Sequence, residues 1–177
     1  MKQEIKNLDN LGSHPQIGES YEVYESDFNI HVVMEYLGGG ELHKRMKHYN
    51  FIPLSCITNI MKQLLMGVSY IHELGLMHRD LKPKNIMLKR GSGKKKGYVL
   101  KIVDFGLAEE VKLGDKKKRL FNRCGTMGYM APEIFKWQKK NYNEKVDIFS
   151  LGVIFYKMLT GKSPFTSYNY KHNYMNT

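Results

Sequence analysis

What the chain lacks sets the first bounds. Only two of its 177 residues are cysteine, Cys56 and Cys124, far apart and without the spacing of metal ligands. A disulfide framework is therefore not indicated, and a reducing compartment is expected, the cytoplasm first and the nucleus second. No apolar run approaches the roughly 18 residues that a spanning helix needs, so no membrane partner is expected. Residues 1–10 are polar and charged, unlike a secretory signal. Acid is scarce too: 17 Asp and Glu stand against 28 Lys and Arg, a formal charge of +11. Such an excess suits nucleic acid, an anionic membrane or acidic substrates. Much of it is local, in Lys89, Arg90, Lys94, Lys95 and Lys96 around Gly91, Ser92, Gly93 and Gly97, and in Lys116, Lys117, Lys118 and Arg119. Like-charged blocks of this kind are more often solvated loops than binding surfaces. No aromatic stacking pattern is interleaved with them, so no specific nucleic acid is expected.

What is present argues for a globular chain with one substantial core, since 42% of it is hydrophobic and 12% aromatic. Over residues 55–74, Ile57, Ile60, Met61, Leu64, Leu65, Val68 and Ile71 recur at helical spacing, and Gly75 follows as a stop. His72, with no second histidine or carboxylate at matching spacing, reads as a packed helical histidine rather than a ligand or base. Residues 21–24 and 31–34 read as strands about a polar turn, and 86–88 and 99–103 as strands flanking the first basic block, a hairpin tip. Lys101 is expected to face solvent. Gly38, Gly39 and Gly40 lack the spacing of a phosphate-binding loop and are not read as one. Residues 147–160 are apolar almost all round, with Gly161 beyond, which predicts a buried helix.

One stretch reads as chemistry. His78-Arg79-Asp80-Leu81-Lys82-Pro83-Lys84-Asn85 brings a carboxylate, an ammonium and a carboxamide together, and Asp104-Phe105-Gly106 and Ala131-Pro132-Glu133 follow in order. The first resembles the catalytic loop of protein kinases, H-R-D-L-x-x-x-N, at every fixed position, and the others resemble that family's D-F-G and A-P-E. The gap between the last two is the size of an activation segment. Lys82 is similar to the serine/threonine class of the family, and residues 32–37, which resemble its hinge, together with 72–83 look most like its calcium/calmodulin-dependent group.

The resemblance implies an α+β, protein-kinase-like fold: a mostly helical C-lobe with a partial N-lobe β-sheet. Residues 1–36 would run from the family's helix C to the hinge, 37–167 would form the C-lobe through its central helix, and 168–177 a polar tail. The implied function is transfer of the ATP γ-phosphate to Ser or Thr hydroxyls of protein substrates, with Mg²⁺. Phosphoryl transfer needs positioning and charge neutralisation more than covalent chemistry. Asp80 would accept or orient the substrate proton, and Lys82 would face the transferring phosphoryl group. Asn85 and Asp104 supply hard oxygens for Mg²⁺. Met34 as gatekeeper, the backbone of Glu35 and Leu37, Glu41 towards the ribose, and Met87 are the implied nucleotide-binding residues.

Further roles follow from the same resemblance. Glu4 would partner the family's strand lysine, and Leu8 would join the apolar stack between lobes. Arg79 would meet a phosphate in the activation segment. Yet Asn122 stands where the phosphoacceptor usually lies, and Thr126 resembles the threonine that buttresses Asp80 and Lys82 rather than a regulatory site. Activation is therefore expected without loop phosphorylation. Asp147 would brace the catalytic-loop backbone. The family's Gly-rich loop, strand lysine and last helices fall outside these residues, Ser20 replaces an apolar stack residue, and Lys84 replaces Glu. Without its usual arginine, Glu133 would be an uncompensated charge if buried. A remnant N-lobe would have exposed strand edges. These departures leave an alternative open: a catalytically silent kinase-like binding or regulatory module.

Overall fold

The computed structural model describes residues 7, 8, 10–48, 52–91, 97–111, 122–135 and 142–165. Strands β1 (Ser20–Glu25) and β2 (Ile30–Met34) form an antiparallel ribbon whose turn closes from the Ser26 amide to the Asn29 carbonyl at 2.8 Å. After the ribbon come β3 (Gly40–Glu41), α1 (Leu42–His48), the long α2 (Leu54–Glu73) and β4 (Leu76–Met77). The hairpin β5 (Ile86–Arg90) and β6 (Tyr98–Ile102), the short β7 (Glu109–Glu110), a 3-10 turn at Pro132–Ile134 and α3 (Lys145–Thr160) complete the order.

Strand β5 sits between β3 and β6, and β4 pairs with β7. Residues 16–18 run alongside β6, with backbone bonds of 2.8 Å from Ile102 to the Gln16 carbonyl and from Gly18 to the Ile102 carbonyl. The glycine run after the hinge is a packing turn. A Cβ on Gly39 would lie 2.3 Å from the Leu88 carbonyl oxygen, so only glycine lets β3 close on β5. The hairpin about the first basic block is likewise present, closed by the Gly91 amide on the Gly97 carbonyl at 2.8 Å, while residues 92–96 lie outside the described set.

The helical period of α2 buries Ile57, Leu64, Val68 and Ile71. Gly67 is on the same face, where a Cβ would meet Ile102 Cδ1 at 2.9 Å, so β6 lies directly on the helix. Leu65 departs from the predicted stripe and is 48% exposed, because one residue beyond Leu64 the helix has turned roughly 100°. Gly75, with φ of 70° and its amide on the His72 carbonyl at 2.9 Å, ends the helix as expected.

The expectation for α3 needs correction. Val146, Asp147, Ser150, Leu151, Val153, Ile154 and Met158 are buried, but Ile148, Phe155, Tyr156 and Leu159 are exposed. Apolar composition all round says what a helix could bury; the described residues cover one side of it. Glu133 is only half-buried, so the feared uncompensated interior charge does not arise. Two apolar clusters result: a larger one joining α2, the hairpin and α3, in which Leu8 and Phe105 take part, and a smaller one of Met77, Met130, Ile134, Phe135, Tyr142 and Val146. Among the described residues no helix is long and apolar enough to cross a membrane.

The two faces of α2 should separate in stability measurements. Leu64→Ala should cost about 2–5 kcal/mol, and Leu65→Ala should stay within about 0.5 kcal/mol, as read from urea denaturation midpoints. Equal losses at both positions would contradict the described face.

Candidate active site

Residues 78–85 leave β4 and return as β5, and the loop between hangs on one carboxylate of α3. Asp147 is fully buried; its Oδ1 accepts the Arg79 amide at 2.9 Å and its Oδ2 the His78 amide at 2.8 Å. His72 Nε2 also meets Oδ2 at 2.9 Å, so this helical histidine does have a carboxylate partner, on another helix where sequence spacing could not reveal it. Arg79 has φ of 67°. A non-glycine residue there costs on the order of 1 kcal/mol, and the two amide bonds to Asp147 hold the strained turn.

The turn presents Asp80. Its Oδ1 accepts the Thr126 hydroxyl at 2.6 Å, while Oδ2 meets Lys82 Nζ at 2.5 Å and Asn85 Nδ2 at 3.2 Å. Lys82 Nζ also donates to Thr126 Oγ1 at 2.9 Å, the buttress that the resemblance implied for this threonine. Asn85 Nδ2 further donates to the Asp80 carbonyl at 3.1 Å, so both amide hydrogens are engaged and Oδ1 is the oxygen left for a ligand. His78 receives the Asp80 amide on Nδ1 at 3.3 Å and donates from Nε2 to the Val103 carbonyl at 3.1 Å, which fixes the tautomer with the proton on Nε2. The Val103 amide donates to the Asn85 carbonyl at 3.0 Å. The residue before Asp104 is thereby clamped from both sides. Asp104 itself has φ of 68° and an exposed side chain, next to the fully packed Phe105.

On the nucleotide side, Met34 ends β2 and is partly exposed, and Met87 on β5 lies opposite Glu41 on β3. Glu41 makes an ion pair with Lys44 at 3.2 Å. The Glu35 amide donates to the Glu19 carbonyl at 2.9 Å, which leaves its carbonyl as the backbone group open to a ligand edge. The Leu37 carbonyl accepts the Gly40 amide at 3.2 Å, which leaves the Leu37 N–H. The Glu35 side chain turns inward to Lys101 Nζ at 2.7 Å and Lys89 Nζ at 2.8 Å. Lys101 is thus not solvent-facing: it is buried, and it also donates to the Ile17 carbonyl at 2.8 Å. Strand alternation from the β6 pattern could not identify the acid waiting on the hinge. Burial alone would raise the Glu35 carboxyl, but Lys101, Lys89 and the Glu19 amide together hold it below the usual carboxylate range.

The Arg79 guanidinium is engaged within the chain. Its Nε donates to the Leu107 carbonyl at 2.6 Å, Nη2 to Glu109 at 3.1 Å and Nη1 to the Tyr142 hydroxyl at 3.2 Å. The Tyr142 hydroxyl in turn donates a hydrogen bond to the Asn122 carbonyl at 2.6 Å, and burial pushes that hydroxyl up to about 12 despite the nearby guanidinium. Sequence reading missed three participants: Glu109, Tyr142, and Asn7, whose fully buried Nδ2 donates to the Phe105 and Ala108 carbonyls at 3.3 and 3.0 Å. A lone amide in a helical stretch carries no signal of such a contact. Glu4, the second basic block at 116–119 and the tail 168–177 lie outside the described residues.

The family model described as protein kinase domain matches residues 1–177, the whole chain. The chain belongs to the protein kinase domain family. It is 38% identical over 170 residues to serine/threonine-protein kinase cds1 of Schizosaccharomyces pombe, covering 94% of this chain and 35% of that protein. It is 41% identical over 159 residues to calcium-dependent protein kinase 6 of Plasmodium berghei, covering 89% and 10%. Against serine/threonine-protein kinase PEPKR2 of Arabidopsis thaliana it is 36% identical over 162 residues, 92% of this chain and 32% of that one. The chain therefore spans about a third or less of the relatives it matches. Kinases of this family work with ATP and Mg²⁺ on protein substrates.

The hinge ion pair of this kinase domain yields a pH test. Because the folded Glu35 carboxyl is held low, its stabilising contribution is present above the unfolded carboxylate pKa and is lost as pH falls through the folded value. Lys101→Met should cost about 1.5–3 kcal/mol at neutral pH, the scale of one hydrogen bond to a charged group, since Lys89 and the Glu19 amide still hold the carboxylate. That cost should shrink on acidification as Glu35 takes up a proton. A pH-independent loss in thermal or urea melts would contradict the pairing.

Proposed function

We propose that this chain is part of a serine/threonine protein kinase that transfers the γ-phosphate of ATP to a Ser or Thr hydroxyl of a protein substrate. The observation that carries the reading is the Asp80 carboxylate, held at both oxygens by Thr126, Lys82 and Asn85. In that reaction a bond forms from the substrate hydroxyl oxygen to phosphorus, the bond to the β-phosphate oxygen breaks, and ADP leaves. Asp80 orients the hydroxyl and accepts its proton. Lys82, already beside Asp80, brings an ammonium to the negative charge of the transferring group. Met34, Glu35, Leu37, Glu41 and Met87 are the nucleotide contacts, with the Glu35 carbonyl and Leu37 N–H meeting the adenine edge.

When bound, Mg²⁺ would supply positive charge to offset that of the nucleotide phosphates. Asn85 and Asp104 fit it, since Asn85 has Oδ1 left over and Asp104 offers an exposed carboxylate. Among the described residues no three His, Cys, Asp or Glu side chains are grouped to hold a metal alone. One carboxylate and one amide beside substrate phosphates is the provision Mg²⁺ usually receives. The proposed compartment is the cytoplasm, with the nucleus second, on the strength of the two unpaired cysteines.

We read Glu109 as meeting the charge of Arg79 in place of a phosphate, which supports activity without loop phosphorylation. An activating phosphate found by mass spectrometry within residues 107–130 would overturn this.

The decisive assay is Mg²⁺-dependent transfer from labelled ATP to a basic Ser/Thr-containing protein, by the full-length protein that carries this chain. Asp104→Asn should abolish transfer, and Lys82→Ala should lower it at least about a hundredfold, the scale of losing one charge-stabilising donor. No transfer by the unaltered protein would favour the silent module instead.

A further inference from the structure

We propose that the substrate segment carries Asp or Glu side chains beside its Ser or Thr, read by a cluster of Lys47, Lys84 and Lys157 that borders the catalytic loop. The inference rests on the phosphotransfer reading and names its substrate class. Segments far apart in the chain bring these lysines together. Lys84 follows Pro83, whose carbonyl accepts the His43 amide at 2.9 Å, so α1 is seated on the catalytic loop. Lys47 lies one turn along α1 from His43, on the same face. Lys157, on α3, donates to the Tyr129 hydroxyl at 3.2 Å, with Nζ 5.8 Å from the centre of that ring. Tyr129 gives its amide to the Thr126 carbonyl at 3.0 Å, and the Thr126 hydroxyl binds Asp80 at 2.6 Å. Asn85, the neighbour of Lys84, meets the other oxygen of Asp80 at 3.2 Å. The cluster is thus tied to the Asp80 site through Asn85 and through Tyr129 and Thr126.

His43 reports the field among them. Burial first, then Lys47, Lys157 and Lys84, hold its imidazole below the usual histidine range, while Glu41 acts in the opposite sense. Glu41 is paired with Lys44 at 3.2 Å, and Asp80 with Lys82 at 2.5 Å. Among the described residues no acid forms an ion pair with Lys47, Lys84 or Lys157. Lys47 and Lys84 are exposed. Like charges gathered without counterions repel one another, and a carboxylate brought among them relieves this while steering its segment to the site. Ammonium groups are point charges on flexible stems, so they select the sign of charge rather than the planar geometry of one acid. Of the partners that the basic excess admits, an acidic substrate is favoured because the cluster borders Asp80, where the acceptor hydroxyl must lie. The replacement of Glu by Lys at position 84, which the proposed phosphate chemistry leaves unused, thereby gains a role.

The probes are three peptides with one central serine, flanked by aspartate, asparagine or lysine, given to the full-length protein that carries this chain. A basic protein serves to detect transfer; preference is read from the peptides. The expected kcat/KM order is aspartate, asparagine, lysine, with at least about tenfold between first and last. Lys84→Glu combined with Lys157→Glu should invert the order. Preference is a ratio within one enzyme, so a variant that only folds poorly lowers all three alike. Binding is measured separately, by anisotropy of fluorescein-labelled peptides with alanine for the serine. The aspartate peptide should bind saturably, and at least about tenfold more weakly to the double variant. Absence of saturable binding overturns the proposal, as does an equal or reversed peptide order in binding or transfer, or a preference that survives in the double variant. So does an aspartate effect equal at every position of the peptide and matched by an oligonucleotide, which would mean plain polyanion attraction. Binding with the expected preference but no transfer to any peptide would uphold the acidic segment as the ligand and count against the phosphotransfer reading alone.

Discussion

The buried carboxylate of Asp147 is the point on which the catalytic loop rests. Taking a charge out of water is expensive, and here the cost is offset by two backbone amides and His72 at hydrogen-bond distance. Those amides belong to the two residues before Asp80, one of them in a left-handed conformation that few side chains adopt. Strain in the turn and burial of the charge are therefore a single arrangement. Remove the acid, and the loop loses the reason to hold the geometry in which Asp80, Lys82, Asn85 and Thr126 meet.

Two further acid–base contacts repeat this logic at longer range. Glu35 and Lys101 come from the hinge and from β6, and Arg79 and Glu109 from the catalytic loop and β7. Each joins segments that the apolar clusters alone would leave free to slide, because dispersion and hydrophobic burial specify contact but little direction. The Arg79 contact also draws in Tyr142 and, through it, the Asn122 carbonyl. The charge of Arg79 is thus met by neutral and carboxylate groups of the chain itself.

The grouping of Asp80, Lys82 and Asn85 was legible in the sequence because it is local, all three lying within one turn-rich stretch, and α2 declared itself by period. What stayed hidden is what depends on partners far along the chain. Lys101 looked solvent-facing because nothing in a strand's alternation names the acid opposite. His72 looked partnerless because Asp147 is 75 positions away. Leu65 was counted with a stripe it just misses, and α3 was expected to be covered on all sides when composition could only say that covering was possible. Asn7 gave no signal at all, since a buried amide bridging to the Phe105 carbonyl has no pattern of its own.

Among the described residues the β1–β2 ribbon meets the rest at the backbone pairing of residues 16–18 with Ile102, at Val32 against the larger apolar cluster, and at the hinge, where Glu35 is gripped by two lysines and Gly39 abuts Leu88. All three lie toward the Met34 end, while residues 25–29 at the far turn are exposed. The ribbon is therefore a lever held at one end: a displacement that is large at its tip is small at Met34.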